Sequence, residues 1–117
     1  MAEDWARPVV HWEIQARDPA KIREFYGCLF NWEIGEGRVM NIPVGVGPPE
    51  PGPAGHIFPS DTSRVVLYIQ VRDLRESLDR AAELGGTIMH QPRDLPTGPS
   101  IAGIADPEGN PVVLVQQ

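Results

Sequence analysis

The sequence predicts an α+β domain made of two similar halves, each in the order βαβββ. Strand-like and helix-like hydrophobic patterns follow one another in the same order twice along the chain. The segments Ile14-Gln15-Ala16-Arg17-Asp18 and Ile69-Gln70-Val71-Arg72-Asp73 agree at four of five positions, 55 residues apart, and each closes a predicted strand just ahead of a capped helix. The 117 residues suffice for one compact domain and are too few for two independent ones. The halves, about residues 8–60 and 64–117, are therefore expected to be modules of a single domain covering residues 1–117.

In the first half, residues 9–16 read as a strand. Asp18 then offers a helix cap, with Pro19 at the first helical position, where its missing N–H does no harm. Ile22, Phe25, Tyr26 and Leu29 follow at the i, i+3, i+4, i+7 spacing of an apolar helix stripe. Residues 31–34 and 38–44 read as short strands around Gly35-Glu36-Gly37, and residues 55–58 as another. Between them, residues 45–54 are too rich in proline and glycine for helix or regular sheet, and are expected to form either a lid or a plain connection.

In the second half, residues 65–71 form a β-branched, aromatic strand. Asp73-Leu74-Arg75-Glu76 has the form of a capping box. Leu74, Leu78 and Ala81 mark the apolar stripe of a helix that stops at Gly85-Gly86. Residues 87–90 read as a strand and 91–99 as a proline-rich loop. Two closing strands, 101–105 and 112–115, are joined through the turn residues Asp106-Pro107-Glu108-Gly109-Asn110.

Composition narrows the functional classes. With 41% apolar and 22% charged residues the chain reads as soluble and globular. Ten basic against 16 acidic groups leave a net charge of −6, with no lysine- or arginine-rich run, which argues against nucleic acid and anionic membranes and leaves a small organic molecule as the expected partner. The single cysteine, Cys28, cannot form an intramolecular disulfide, and the N-terminus has no signal-peptide pattern, so a cytoplasmic protein is expected.

The stretches VVHWEIQARDPAKIREFYGCLFNWEI and VVLYIQVRDLRESLDRAAELGGTIM, the latter followed by IADPEGNPVVLVQ, resemble in order and spacing the two modules of the vicinal-oxygen-chelate superfamily, the glyoxalase/bleomycin-resistance/dioxygenase-like proteins. The resemblance implies a half-open curved sheet with the helices on its outer face. It also implies a ligand inside the cup, often with a divalent metal, and association as a homodimer.

Alternation along the strands assigns faces independently of that resemblance. Val10, Trp12, Ile14 and Ala16 form the helix-side face of the first strand, and His11, Glu13 and Gln15 the opposite, polar one. In the second half Leu67, Ile69 and Val71 are expected under the helix, with Val66, Tyr68 and Gln70 opposite. The residues expected to face a ligand are thus His11, Glu13, Gln15, Val66, Tyr68 and Gln70. Trp32, Phe58 and Tyr68 are the aromatics expected near a pocket. The plainer alternatives are a solvent-facing polar face and core aromatics.

The superfamily's metal-binding members draw ligands from the first and last strand of each module. The resemblance places His11 and Val66 at the first-strand positions, Val113 at one last-strand position, and the other near residues 55–58, where His56 stands. Valine cannot ligate, so the usual metal site is expected to be missing and no cofactor is expected. His56 and Val113 then join the candidate ligand contacts. The leading expectation is a metal-independent small-molecule binding protein. The alternative is a metal-dependent lyase, isomerase or dioxygenase-like enzyme using His11, Glu13 and His56, and a further one is a structural dimer with a vestigial pocket. Glu13 is the one candidate general base, because burial raises a carboxyl pKa. Cys28, read as a small buried apolar residue, and His90, read as structural, are assigned no chemistry.

Overall fold

The computed structural model describes residues 5–43, 52–96 and 98–116. Among them are seven strands and two helices: β1 (Val9–Ala16), α1 (Pro19–Phe30), β2 (Met40–Ile42), β3 (Gly55–Pro59), β4 (Arg64–Gln70), α2 (Leu74–Glu83), β5 (Thr87–Asp94), β6 (Ser100–Ala105) and β7 (Pro111–Gln116). The chain divides into two compact units, His11–Val66 and Met1–Val10 with Leu67–Gln117.

In the unit His11–Val66, β3 pairs parallel with β1 and antiparallel with β2. Asp18 caps α1 by accepting a hydrogen bond from the Lys21 N–H (3.2 Å), with Pro19 in the first turn. The core comprises Ala16, Ile34, Ile42 and Ile57, packed against Trp12, Ile14, Ile22, Tyr26, Trp32 and Met40. The helix-side face read from alternation is thus found at Trp12, Ile14 and Ala16.

Four expectations for this half need correction. Only Ile22 and Tyr26 of the helix stripe reach the core. These two stand four apart on one line of the helix, whereas Phe25 and Leu29 fall to its flank and stay 56% and 59% exposed. Cys28 is exposed as well. Residues 31–34 form no strand. Asn31 ends α1 in the left-handed region (φ 60°), and the Arg23 side chain reaches across to the carbonyls of Ile34 (2.7 Å from Nη2) and Gly35 (3.0 Å from Nε), occupying acceptors that a strand partner would use. Finally, of the strand predicted over 38–44, the described residues 38–43 form strand only at Met40–Ile42. Residues 44–51, which hold most of the proposed lid, lie outside the described residues.

In the other unit β4 pairs parallel with β7, and β6 pairs antiparallel with both β7 and β5. Asp73 accepts from the Glu76 N–H (2.9 Å), and Gln116 at the end of β7 accepts from the Leu74 N–H (2.6 Å), so two of the helix's first-turn donors are satisfied. Leu74 and Leu78 are buried against Val71, Ala102 and Leu114, each leucine contributing about 2 kcal/mol of burial. Of the helix-side residues predicted for the strand 65–71, Val71, just past the end of β4, joins this core and Leu67 stays 41% exposed. A ten-residue helix starting at Leu74 spans only ~15 Å, and its leucines lie over the Val71 end.

Strand β5 runs on to Asp94, so the loop predicted over 91–99 begins later than expected. Its register against β6 shifts between Ile88 and His90 and again between His90 and Arg93; the second irregularity accommodates Pro92, which has no N–H for a regular ladder. The Asp106 carboxylate closes the β6–β7 turn by accepting from the N–H groups of Glu108 (2.8 Å) and Asn110 (3.0 Å).

One glycine in this unit supports a specific prediction. A Cβ on Gly103 would collide with the Nε2 of His90, the cross-strand partner. Since His90 is an exposed side chain that can swing outward, Gly103→Ala is expected to displace the imidazole yet lower stability by only about 1 kcal/mol. A urea unfolding midpoint measured for Gly103→Ala, and for Gly103→Ala with His90→Ala, checks this. The double variant should recover most of the loss.

Candidate functional site

The parallel register of β1 on β3 sets Glu13 opposite His56, and alternation puts His11 and Gln15 on the same face as Glu13. These four side chains form a continuous hydrogen-bonded row. His56 Nε2 lies 2.8 Å from Glu13 Oε1, and His56 Nδ1 lies 2.7 Å from His11 Nε2. On the other side of the carboxylate, Gln15 Nε2 donates to Glu13 Oε2 (2.6 Å), and Arg64 Nε donates to Gln15 Oε1 (2.8 Å). Glu13 is 7% exposed and is the buried charged residue of the described core, while His11 and Gln15 are half-buried.

Hydrogen-bond chemistry gives the row a direction. An ionised carboxylate only accepts, so His56 Nε2 carries a proton toward Glu13, as does the Gln15 amide from the other side. Burial and the neighbouring His56 push the His11 pKa below the ordinary histidine value of 6.5, with Glu13 partly opposing them. A histidine with a depressed folded pKa binds fewer protons than the unfolded chain does. Stability attributable to His11 is therefore complete above pH 6.5 and is lost as the pH falls through the folded pKa. Melting temperatures measured from neutral pH downward should fall more steeply for the native chain than for His11→Asn.

The remaining sequence-predicted residues are distributed as follows. Val66 is buried, at 2% exposure, in the unit that holds the row. Tyr68, Gln70 and Val113 belong to the other unit, where Tyr68 stands opposite Val113 and Gln70 opposite Val115. Glu13 and Tyr68 are 55 residues apart, the offset of the internal repeat, and each has its parallel-strand partner in register. His56 in one half thus occupies the place of Val113 in the other, which fixes a position that the spacing of motifs left loose.

Phe58 lies near the row, its ring edge-on to His56 with centroids 6.3 Å apart and the Arg38 guanidinium 4.9 Å above it. Trp32 stacks on Tyr26 (5.8 Å) against the core of its unit and lines the concavity along α1 rather than the row. Arg64, the far end of the row, was missed by sequence reasoning. A cation opening a strand is ordinary, and nothing in its neighbourhood marks a partner 49 residues away. His90 stands beside Gly103, which in turn pairs with Val113. Two concavities of about 820 and 780 Å³ lie elsewhere, one along α1 and one beside α2; neither is lined by a residue of the row. The row is the stronger candidate because buried ionisable groups must be held against their desolvation, and a fold has no need of them.

The sequence profile of the glyoxalase-like domain matches residues 11–115. The chain belongs to that family. Solved structures place the glyoxalase-like chain among proteins of the same fold. A glyoxalase/bleomycin resistance protein/dioxygenase superfamily member from Vibrio splendidus is 15% identical, with a TM-score of 0.69 over 96% of this chain and 100% of that one. A hypothetical protein from Bacillus halodurans is 11% identical, with a TM-score of 0.66 over 97% and 96%. A variant of the Streptomyces coelicolor methylmalonyl-CoA epimerase, in complex with 2-nitronate-propionyl-CoA, is 14% identical, with a TM-score of 0.62 over 94% of each chain. No curated protein matches the sequence.

The divalent metal implied by the superfamily does not fit the donors as they stand. Among the described residues no group of three or more His, Cys, Asp or Glu side chains is disposed to hold a metal ion. His11 Nε2 and His56 Nδ1 face each other across 2.7 Å, whereas a zinc ion needs about 2.0–2.1 Å to each nitrogen. An ion on that line would require the two imidazoles to move apart.

Proposed function

We propose that this glyoxalase-like domain is a small-molecule binding protein whose polar contacts come from the His11–His56–Glu13–Gln15 row, without the divalent ion usual in the superfamily. The observation that carries the reading is the buried Glu13 carboxylate, held by His56 and Gln15 on a strand face whose opposite side supplies the hydrophobic core. A carboxylate is costly to bury even when its hydrogen bonds offset part of the cost, which favours a functional reading of the row over a purely structural one. The valines at positions 66 and 113 support the metal-independent form of the proposal, since they remove two of the superfamily's four ligating positions. Fold neighbours such as the Streptomyces coelicolor epimerase variant, with its bound acyl-CoA analogue, use the same scaffold to hold a small organic molecule.

The second reading is a metal-dependent enzyme of the lyase, isomerase or dioxygenase kind. The proximity of His11, Glu13 and His56 favours it. Elemental analysis of protein purified without an affinity tag, repeated after exposure to Zn, Ni, Mn and Fe(II), separates the two. The proposal predicts no stoichiometric metal, no change in melting temperature with chelator, and a rise of several degrees with a matching organic ligand. Stoichiometric metal lost in His11→Ala would establish the enzyme reading instead. A chain that responds to neither metal nor ligand would be a structural dimer with a vestigial pocket.

A further inference from the structure

Beside the hydrogen-bonded row, the polar face of the unit His11–Val66 carries two arginines that flank one aromatic ring. Gln15 and Phe58 are partners in the parallel register, so their Cα atoms lie about 5 Å apart and their side chains share the face of Glu13 and His56. The Arg38 guanidinium sits 4.9 Å from the Phe58 ring centroid, a contact that spends none of its N–H donors on a hydrogen bond. Arg64 spends its Nε–H on Gln15 Oε1 (2.8 Å), an oxygen that the Thr62 hydroxyl also reaches (3.5 Å). Both arginines are exposed, and among the described residues neither guanidinium meets a carboxylate. Arg23 of the same unit, by contrast, has Glu36 at 3.7 Å.

The charges of this face therefore do not cancel within it. Of the strand residues that share it, His11, Glu13, Gln15, Asn41, His56 and Phe58, Glu13 is the one carboxylate, and its two oxygens are met by His56 and Gln15. In a chain with 16 acidic groups against ten basic ones, two cations beside one ring without an acid between them leave a place for negative charge from outside. We propose that the site takes a small organic oxyanion, a carboxylate or phosphate borne on an apolar body, with the charged group held by Arg38 and Arg64 beside the Phe58 ring. The planar fork of an arginine matches the oxygens of either group. This inference rests on the small-molecule reading above and deepens it by naming the ligand class.

The test compares benzoate with benzamide, which has nearly the same shape and no charge, by following the Nε–H resonances of Arg38 and Arg64 in NMR titrations of the whole chain. Benzoate should shift both signals and bind about tenfold more tightly than benzamide, and the gap should narrow as salt is added. Arg38→Gln and Arg64→Gln change exposed side chains, so the fold should survive, and each should bring benzoate close to benzamide. Arg64→Lys, which keeps the charge without the fork, should fall between. Equal affinity for the two probes, or benzoate binding unchanged in both glutamine variants, would overturn the inference and leave the small-molecule reading intact. So would failure of both probes beside a thermal shift from an uncharged or cationic compound in a broad screen, or from an anion indifferent to both variants. An anionic hit weakened by both variants would support the inference even with benzoate silent. A screen with no responding compound would remove both readings.

Discussion

Gly55→Ala is expected to destabilise the domain by about 3 kcal/mol, at the upper end for overpacking a core. Gly55 is buried in β3 directly opposite Trp12 of β1, and a Cβ there would lie 2.5 Å from the Cδ2 and 2.6 Å from the Cε2 of the indole. The ring has little room to yield. Its Nε1–H donates to the carbonyl of Pro53 (2.8 Å), and its face tilts against Trp32 with centroids 5.6 Å apart. Moving it gives up that hydrogen bond and disturbs the cluster around Ile42 and Ile57. The melting temperature should fall by roughly 10 °C, with a change in tryptophan fluorescence from the displaced Trp12. A loss below about 1 kcal/mol would mean that the core of this half accommodates the methyl group by shifting backbone. The contrast with Gly103 matters: an added methyl group there would approach its neighbour as closely, but the obstructing imidazole is exposed and free to rotate.

His56→Ala is expected to have an effect of similar size for an electrostatic reason. The substitution withdraws the donor at 2.8 Å from a carboxylate that is 7% exposed, and breaking one side of a buried pair costs about 3 kcal/mol because the remaining charge keeps its desolvation penalty. Replacing both partners with apolar residues should be far less damaging. Glu13→Leu with His56→Val removes the charge together with its partner, and leaves the half-buried His11 and Gln15 able to reach water. Unfolding free energies of the single and double variants at neutral pH check this. A double variant less stable than His56→Ala would show that the row is held mainly by packing. The double variant should also bind no ligand found by screening the native chain.

Much of the architecture was legible in local chemistry. Asp18-Pro19 and Asp73 mark the two helix starts where the caps are found, Asp106 through Asn110 forms the turn its residues suggest, and the 55-residue repeat anticipates two halves with matching registers. These features are set within a few residues of one another, so sequence is enough to read them. Alternation along β1 likewise separated the core face of Trp12, Ile14 and Ala16 from the polar face of His11, Glu13 and Gln15.

Other features depended on partners distant along the chain. Whether Phe25 and Leu29 are covered turns on which elements pack beside α1, and no pattern within the helix contains that information. Residues 31–34 form no strand, and the Ile34 carbonyl is met instead by Arg23 from eleven residues earlier. For the candidate site, composition and face assignment gathered His11, Glu13 and Gln15, yet they could not place His56 or find Arg64, which stand 43 residues from Glu13 and 49 from Gln15. Strand register decided those contacts. A shift of one residue between β1 and β3 would have turned His56 to the other face, leaving Glu13 without the partner that makes its burial tolerable.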